Sequence, residues 1–308
     1  MIELRRLHRA FGSMWAVNDI SFEVQAGEVL GYIGPNGAGK TTSMRILATL
    51  DIPTRGDAWV DGRSVINDPD KVRQRLGFMP DAFGTYPNVN CAEYLDFFAR
   101  AYGLMGAQRS RAIRKVMSFT GLDVLAEKPI RGLSKGMKQR LCLGRSLIHD
   151  PAVLIMDEPA AGLDPRARIE LREMIGQLAA DGKAILISSH ILTELAEMCN
   201  RVGIIERGRL LAIGSVAEIQ RRQRPHREVN VRVLGDVTAA KTWLETHEHV
   251  KSVAVNGAEL RFAHQGTEEH EADLLRDMIQ GGLRVIEFAS HNVSLEDVFL
   301  QVTRGEVQ

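Results

Sequence analysis

Gly34-Pro35-Asn36-Gly37-Ala38-Gly39-Lys40-Thr41-Thr42 is the stretch that decides the fold. It satisfies GxxxxGK[ST] at every fixed position. The apolar run Val29–Ile33 precedes it as a β-strand, and a helical pattern from Lys40 to Leu50 follows. That strand–loop–helix context separates a phosphate-binding loop from a chance glycine-rich turn. The glycines let backbone N–H groups turn inward as an anion nest, and the helix start adds its positive dipole end. Lys40 then supplies a point charge for β- and γ-phosphates, and Thr41 a hydroxyl ligand for Mg²⁺.

Outward from that loop, Val153-Leu154-Ile155-Met156 reads as a strand buried on both faces, ending in Asp157-Glu158-Pro159. Ligands bind α/β proteins at the C-terminal edge of a parallel sheet. Asp157 is therefore the candidate for the Mg²⁺ shell, and Glu158 for orienting or deprotonating an attacking water. Ile185–Ser188 is a second fully apolar strand, with a helix near Arg166–Ala180 between the two. Phe22–Val24, Asp57–Asp61 and Arg75–Met79 read as further strands, and Cys91–Asp150 as helical. Tyr94, Leu95, Phe98 and Tyr102 fall at helical spacing, as do Ile113, Val116 and Met117; core packing accounts for both stripes. The alternation of strands and helices gives an α/β domain.

The composition bounds the rest. The chain has 308 residues, 44% hydrophobic and 25% charged, with 39 basic and 39 acidic side chains. That excludes a disordered chain and a global basic field, so no nucleic-acid partner is expected. No apolar run reaches the length of about 18 residues that spans a bilayer. No secretory h-region is present near Met1. Cys91, Cys142 and Cys199 are widely spaced and form no CxxC pair, which points to a reducing compartment.

Near residue 221 the basic stretch Arg-Arg-Gln-Arg-Pro-His-Arg reads as a linker. Val229, Val231 and Val233 then alternate as a strand. Ala239–Thr246 is helical. Ser252–Val255 and Glu259–Ala263 flank an Asn256-Gly257 hairpin turn. Glu268–Ile279 is helical, Arg284–Ala289 a strand and Ser294–Val302 a last helix opened by a capping-box-like Ser294-Leu-Glu-Asp297. This βαββαβ order is the split-βαβ, ferredoxin-like arrangement. His247 and His249 flank Glu248, but i and i+2 do not share a helix face, so surface histidines are expected rather than a metal site.

Leu133-Ser134-Lys135-Gly136-Met137-Lys138-Gln139, one helix ahead of the Asp157 strand, resembles the LSGGQ signature of ABC-transporter ATPases. By itself it would read as a helix start capped by Ser134. Other matches fall in that family's order. Phe11 matches the aromatic that stacks on adenine. Ala161-Gly162-Leu163-Asp164 matches the D-loop, and His190 the switch histidine. The resemblance covers about residues 1–220, and the segment ending His291–Leu300 resembles the C-terminal extension of drug-export-type ATP-binding subunits. Two positions depart from the pattern. Asp81 follows Met79-Pro80 where Gln is usual, and Lys135 and Met137 stand where Gly and Gln are commoner.

The resemblance implies a P-loop ABC-type domain over 1–220, with a helical subdomain at about 88–150, and a small α+β accessory domain over 226–308. It implies ATP and Mg²⁺ as ligands. Phe11, the loop residues 34–42, Ser134, Gly136 and Asp164 would contact nucleotide. Thr41, Asp157 and Asp81 would attend the metal. Glu158, His190, Lys40 and Asp81 would serve hydrolysis. Such a chain works as a homodimer or heterodimer on the inner face of the cell membrane. It powers a separate polytopic permease that exports a drug, lipid or other small molecule. The Q-loop and insertion, about 79–131, would dock the permease, with Asp81, Phe83, Tyr86 and Pro87 as contacts. A soluble ATPase that remodels a macromolecule and a low-turnover nucleotide sensor are the competing functions.

Overall fold

Every residue of Val29–Ile33, Val153–Asp157 and Ala184–Ser189 is buried. Strands covered on both faces are apolar along their length, and these are, except for Asp157, Ser188 and Ser189 at their C-terminal ends. In a computed structural model of the chain, which describes residues 1–82, 84, 86, 88–223 and 227–291, they lie side by side in parallel. Two compact units are present, one over Met1–Ser215 and one over Val216–Arg304.

The first unit opens with β1 (Ile2–Phe11), β2 (Met14–Val24), β3 (Val29–Ile33), α1 (Lys40–Leu47), β4 (Arg55–Val60), β5 (Arg63–Ser64), α2 (Pro69–Arg75) and β6 (Leu76–Met79). The helical insertion is α3 (Cys91–Ala101), α4 (Gly106–Phe119) and α5 (Lys135–Leu147). The chain returns through β7 (Val153–Asp157), α6 (Pro165–Ala180), β8 (Ala184–Ser189), α7 (Leu192–Met198), β9 (Arg201–Glu206) and β10 (Arg209–Gly214). The main sheet has the order β10-β9-β3-β8-β7-β6, parallel except for the β10 edge. An antiparallel sheet, β2-β1-β4-β5, forms a second layer. Between the layers sits a core that includes Leu4, Val17, Ile20, Leu30, Met44 and Ile155, all but fully buried. Each such side chain contributes about 1.5–3 kcal/mol of burial free energy.

Local chemistry sets the element ends. The helix expected over Lys40–Leu50 stops at Leu47, because Thr49 turns left-handed (φ 58°) and the Leu50 N–H closes back on Arg45 O at 2.8 Å. That is a Schellman-type end without the usual glycine. The strand expected over Arg75–Met79 begins at Leu76, since Arg75 still belongs to α2. Asn90 and Glu93 form a reciprocal capping box at α3. In the aromatic stripe, Tyr94 and Leu95 are buried, whereas Tyr102 is 39% exposed and stacks on His149 at 3.7 Å. The β9–β10 hairpin, α2 and α7 lie outside the expected elements: α2 and α7 have seven residues each, and the hairpin carries the sheet edge on β10 although β9 itself is buried between β10 and β3.

The second unit contains α8 (Val216–Gln223), β11 (Arg227–Leu234), α9 (Val237–Glu245), β12 (Val250–Asn256), β13 (Glu259–His264), α10 (Glu268–Gln280) and β14 (Arg284–His291). Helix α8 takes up part of the segment read as linker, and Pro225 lies outside the described residues, as does the expected helix Ser294–Val302. The antiparallel order β12-β13-β11-β14 is the ferredoxin-like one. Val229, Val231 and Val233 point into a core with Leu244, Leu260, Phe262, Leu274 and Met278. The hairpin turn is displaced by one residue from its expected place. Asn256 pairs with Glu259, so Gly257 and Ala258 form the turn, with Gly257 at φ 62° in the first central position. A glycine there suits a II′ turn, which needs only that one positive φ.

His264 is buried (1% exposed) where β13 meets α10. Its Nδ1 lies 3.6 Å from Glu271 Oε1, His249 approaches its ring, and Arg227 pairs with Glu271. His249 in turn stacks on His270. Burial holds His264 below the ordinary histidine range, opposed by Glu271 and reinforced by His249, His270 and Arg227. Its folded pKa is thus below its unfolded value of about 6.5, so the stability it contributes is present above that pH and is lost as pH falls through the folded value. Urea unfolding followed by Trp243 fluorescence, with Trp15 and Trp59 replaced by Phe, should show the midpoint falling on acidification below pH of about 6.5. The fall should be shallower in His264→Gln.

Candidate functional site

The loop between β3 and α1 is built by close backbone approach. A Cβ on Gly34 would lie 2.2 Å from Ile205 O, and one on Gly39, at φ 102°, 2.2 Å from Ala16 O. Only glycine fits there, so the loop is held close against the neighbouring strands and its curl is fixed by them. Helix α1 has no side-chain N-cap and no acidic residue in its first turn. Its unpaired N–H groups are left for an anion. Lys40 is buried, and its Nζ donates to Gly34 O at 2.5 Å and Pro35 O at 3.2 Å. Burial lowers its pKa, while Glu158 and Asp157 act in the opposite direction. Ser43 Oγ ties the first turn together through Gly39 O and Lys40 O.

The acidic pair comes off the end of β7. Asp157 is 3% exposed, and Glu158 adopts a left-handed φ of 49° that aims its carboxylate along the sheet edge. A non-glycine residue held there stores about 1 kcal/mol or more of strain. Ser188 at the end of β8 holds it: the Glu158 N–H donates to Ser188 Oγ at 2.9 Å, and that hydroxyl donates to Asp157 Oδ1 at 2.5 Å. His190 Nδ1 lies 2.8 Å from Glu158 Oε2. Ser188 is the residue that sequence reasoning missed. A serine at a strand end carries no pattern of its own, and only its position two before His190 hinted at it.

Phe11, Met14, Ala16, Asn36–Thr42, Asp81, Asp157 and Glu158 line one cleft of 370 Å³. Gly34 and Pro35 join it through the Lys40 ammonium, and His190 through Glu158. Ser134, Gly136 and Asp164 are not among its lining residues. Ser134 caps α5 by accepting the Met137 N–H at 3.3 Å, and Asp164 caps α6 by accepting that of Ala167 at 2.9 Å. The two helix starts adjoin, because a Cβ on Gly136 would meet Ala167 at 3.1 Å and one on Gly162 would meet Lys135 Nζ at 2.5 Å. Lys135 thus lies over the loop that follows Glu158. Phe83 and Pro87 fall outside the described residues.

Asp81, Asp157 and Glu158 line the cleft with Lys40, and with the Thr41 hydroxyl the three carboxylates make an all-oxygen donor set. That chemistry suits Mg²⁺, which is held at phosphate sites by one or two carboxylates together with substrate phosphates and water. No ready-made cage of three His, Cys, Asp or Glu side chains occurs among the described residues.

Residues 17–161 match the family described as ABC transporter, and residues 214–303 match the family described as ATP-binding protein DrrA1-3-like, C-terminal domain. The chain is 31% identical to the linearmycin resistance ATP-binding protein LnrL of Bacillus subtilis, over 98% of each chain. It is 35% identical to the Nod factor export ATP-binding protein I of Burkholderia lata, covering 100% of this chain and 98% of that one. A solved ATP-binding subunit of an ABC transporter superposes with a TM-score of 0.66 at 31% identity, covering 72% of this chain and 92% of its own. The dimeric cassette MJ0796, bound to ADP and Pi in a post-hydrolysis state, superposes with a TM-score of 0.64 at 22% identity, over 70% of this chain and 99% of that one.

Removing the Ser188 hydroxyl leaves the Glu158 N–H without its partner beside a strained backbone. Ser188→Ala should therefore cost about 1–3 kcal/mol of unfolding free energy in urea titrations. An unchanged midpoint would mean that the Asp157–Glu158 corner is held by other contacts.

Proposed function

The chain belongs to the ABC transporter ATP-binding proteins, and on that premise we propose how its residues share the work of hydrolysis and export. It hydrolyses ATP to ADP and phosphate and powers a separate membrane permease. No helix among the described residues is long and apolar enough to cross a membrane. The chain acts as a peripheral subunit on the cytoplasmic face. The names of its relatives, one for linearmycin resistance and one for Nod factor export, favour a small molecule, drug or lipid as cargo.

What carries the assignment is a division of the site across the chain. Loop residues 36–42 and the Asp157–Glu158 pair share one cleft, while exposed Ser134 and half-buried Gly136 lie outside its lining, at helix starts adjoining that of Asp164. One copy thus offers half of a nucleotide site at each of two places. A second copy, or a homologue, packed head to tail completes both, with its Ser134 and Gly136 against the γ-phosphate. Phosphate loss removes the bridge between the halves, which is the differential contact that a conformational change needs.

Within the site Phe11 stacks on adenine, and the loop N–H groups with Lys40 bind the phosphate chain. Thr41, Asp157 and Asp81 hold Mg²⁺, which when bound neutralises phosphate charge. Glu158 receives a proton from the attacking water or fixes its lone pair toward phosphorus. His190 holds the Glu158 carboxylate in register, and so acts on the water through Glu158. Asp81 keeps the oxygen donor of the usual Gln but adds charge, so this site depends more strongly on a divalent cation.

The permease docks at the insertion. A groove of 620 Å³ runs between core and insertion, lined in part by Leu50, Phe78, Phe98, Tyr102 and Arg145. Phe97 and Tyr86 stand exposed and in ring contact with each other. Apolar rims with aromatic anchors are what a partner segment buries.

Glu158→Gln tests the chemistry. It should lower turnover by about 10²- to 10⁴-fold, the range for loss of a general base, with ATP affinity little changed. Phosphate release together with calorimetric titration of ATP reads both quantities. Undiminished turnover would remove Glu158 from the water-activating role.

A further inference from the structure

Phe11 is the last paired residue of β1, at a hairpin whose turn is Gly12-Ser13. Arg9 is the residue two before Phe11, and its guanidinium carbon lies 4.5 Å over the Phe11 ring centroid. Arg9 is itself braced: its Nη2 lies 2.8 Å from Asp51 Oδ1 in the loop after α1, and both side chains are mostly buried, at 25% and 18% exposure. Its Nε is buried and makes no hydrogen bond, so Asp51 holds one end of the guanidinium while no acceptor draws its Nε edge away from the ring. Phe11 is nevertheless 47% exposed and lines the cleft beside the phosphate loop. One face of the ring is occupied by the cation, and the uncovered part of the ring is open toward the cleft.

We propose that Arg9 is a positioning residue for the nucleobase. Braced by Asp51, it fixes the Phe11 ring as a platform, so that the base stacks as a third layer on the face away from the guanidinium. The proposal rests on Phe11 being the base platform. A free aromatic side chain at a hairpin tip samples several rotamers, and ordering it on binding weakens affinity. Preorganisation by the cation removes that cost and leaves the base a single side to approach from. Planarity matters here, since a guanidinium stacks flat on an aromatic face and an ammonium does not.

The test separates base recognition from phosphate recognition, using calorimetric titration of the full chain with ADP and with inorganic tripolyphosphate, which carries no base. Arg9→Gln should weaken ADP about three- to fivefold, the size of a partly exposed cation–π contact, and leave tripolyphosphate unchanged. Asp51→Asn should move ADP in the same direction by releasing the brace. Arg9→Lys keeps the charge without the plane and should stay as weak for ADP as Arg9→Gln. Phe11→Ala provides the control on the underlying assignment. If it weakens ADP while Arg9→Gln does not, the role of Arg9 is overturned and the platform stands. If neither variant moves ADP, the platform itself falls. Equal weakening of ADP and tripolyphosphate in Arg9→Gln, or full rescue by Arg9→Lys, would overturn the stacking role.

Discussion

A polyanion can be bound without a matching set of side-chain cations only if backbone N–H groups are held unpaired and pointed at it. The rest of this structure depends on that constraint. Leaving such groups unpaired in a folded chain is costly unless a ligand satisfies them. The loop survives because Gly34 and Gly39 let it press directly on the carbonyls of Ile205 and Ala16, so neighbouring strands fix its shape. The parallel sheet supplies those strands, and its C-terminal edge delivers Asp157, Glu158, Ser188 and His190 to the same end. Fold and site are in this sense one arrangement.

The same edge shows how polar residues support one another. The Ser188 hydroxyl serves two acidic residues at once, accepting from the Glu158 backbone and donating to the Asp157 carboxylate. It joins the end of one strand to the end of its neighbour, so a shift at either strand end is felt at both carboxylates. Outside the cleft lining, Ser134 and Asp164 each cap a helix. Their side-chain oxygens are already engaged within their own copy. The Ser134 hydroxyl accepts in its cap and keeps its own O–H to donate, so this surface offers a phosphate that hydroxyl together with the backbone N–H groups at the two adjoining helix starts.

Much of this was legible in the sequence where burial is two-sided. Val29–Ile33, Val153–Met156 and Ile185–Ile187 are unbroken apolar runs, and a glycine-rich loop and two carboxylates stand at the ends of the first two. The alternating valines, the helical runs Ala239–Thr246 and Glu268–Ile279 and the Asn256-Gly257 turn signal make the βαββαβ order of the second unit legible. Less was legible where the chemistry breaks the period. Strand β1 carries bulges and a left-handed Arg6, which blur its alternation. The β9–β10 hairpin lies at a sheet edge. The turn at residues 256–258 is shifted because Asn256 still pairs with Glu259. The roles of Ser188 and Arg9 are invisible in one dimension, since each depends on a residue brought close by the sheet, the partner strand β7 in one case and the loop after α1 in the other.

The central claim is that nucleotide joins two half-sites and its cleavage separates them. The most direct measurement is the mass of the Glu158→Gln protein by analytical ultracentrifugation across a concentration series, with Mg²⁺ and either ATP or ADP. Dimer with ATP and monomer with ADP is the predicted result. A protein that sediments as a monomer with ATP bound at every concentration would contradict the account.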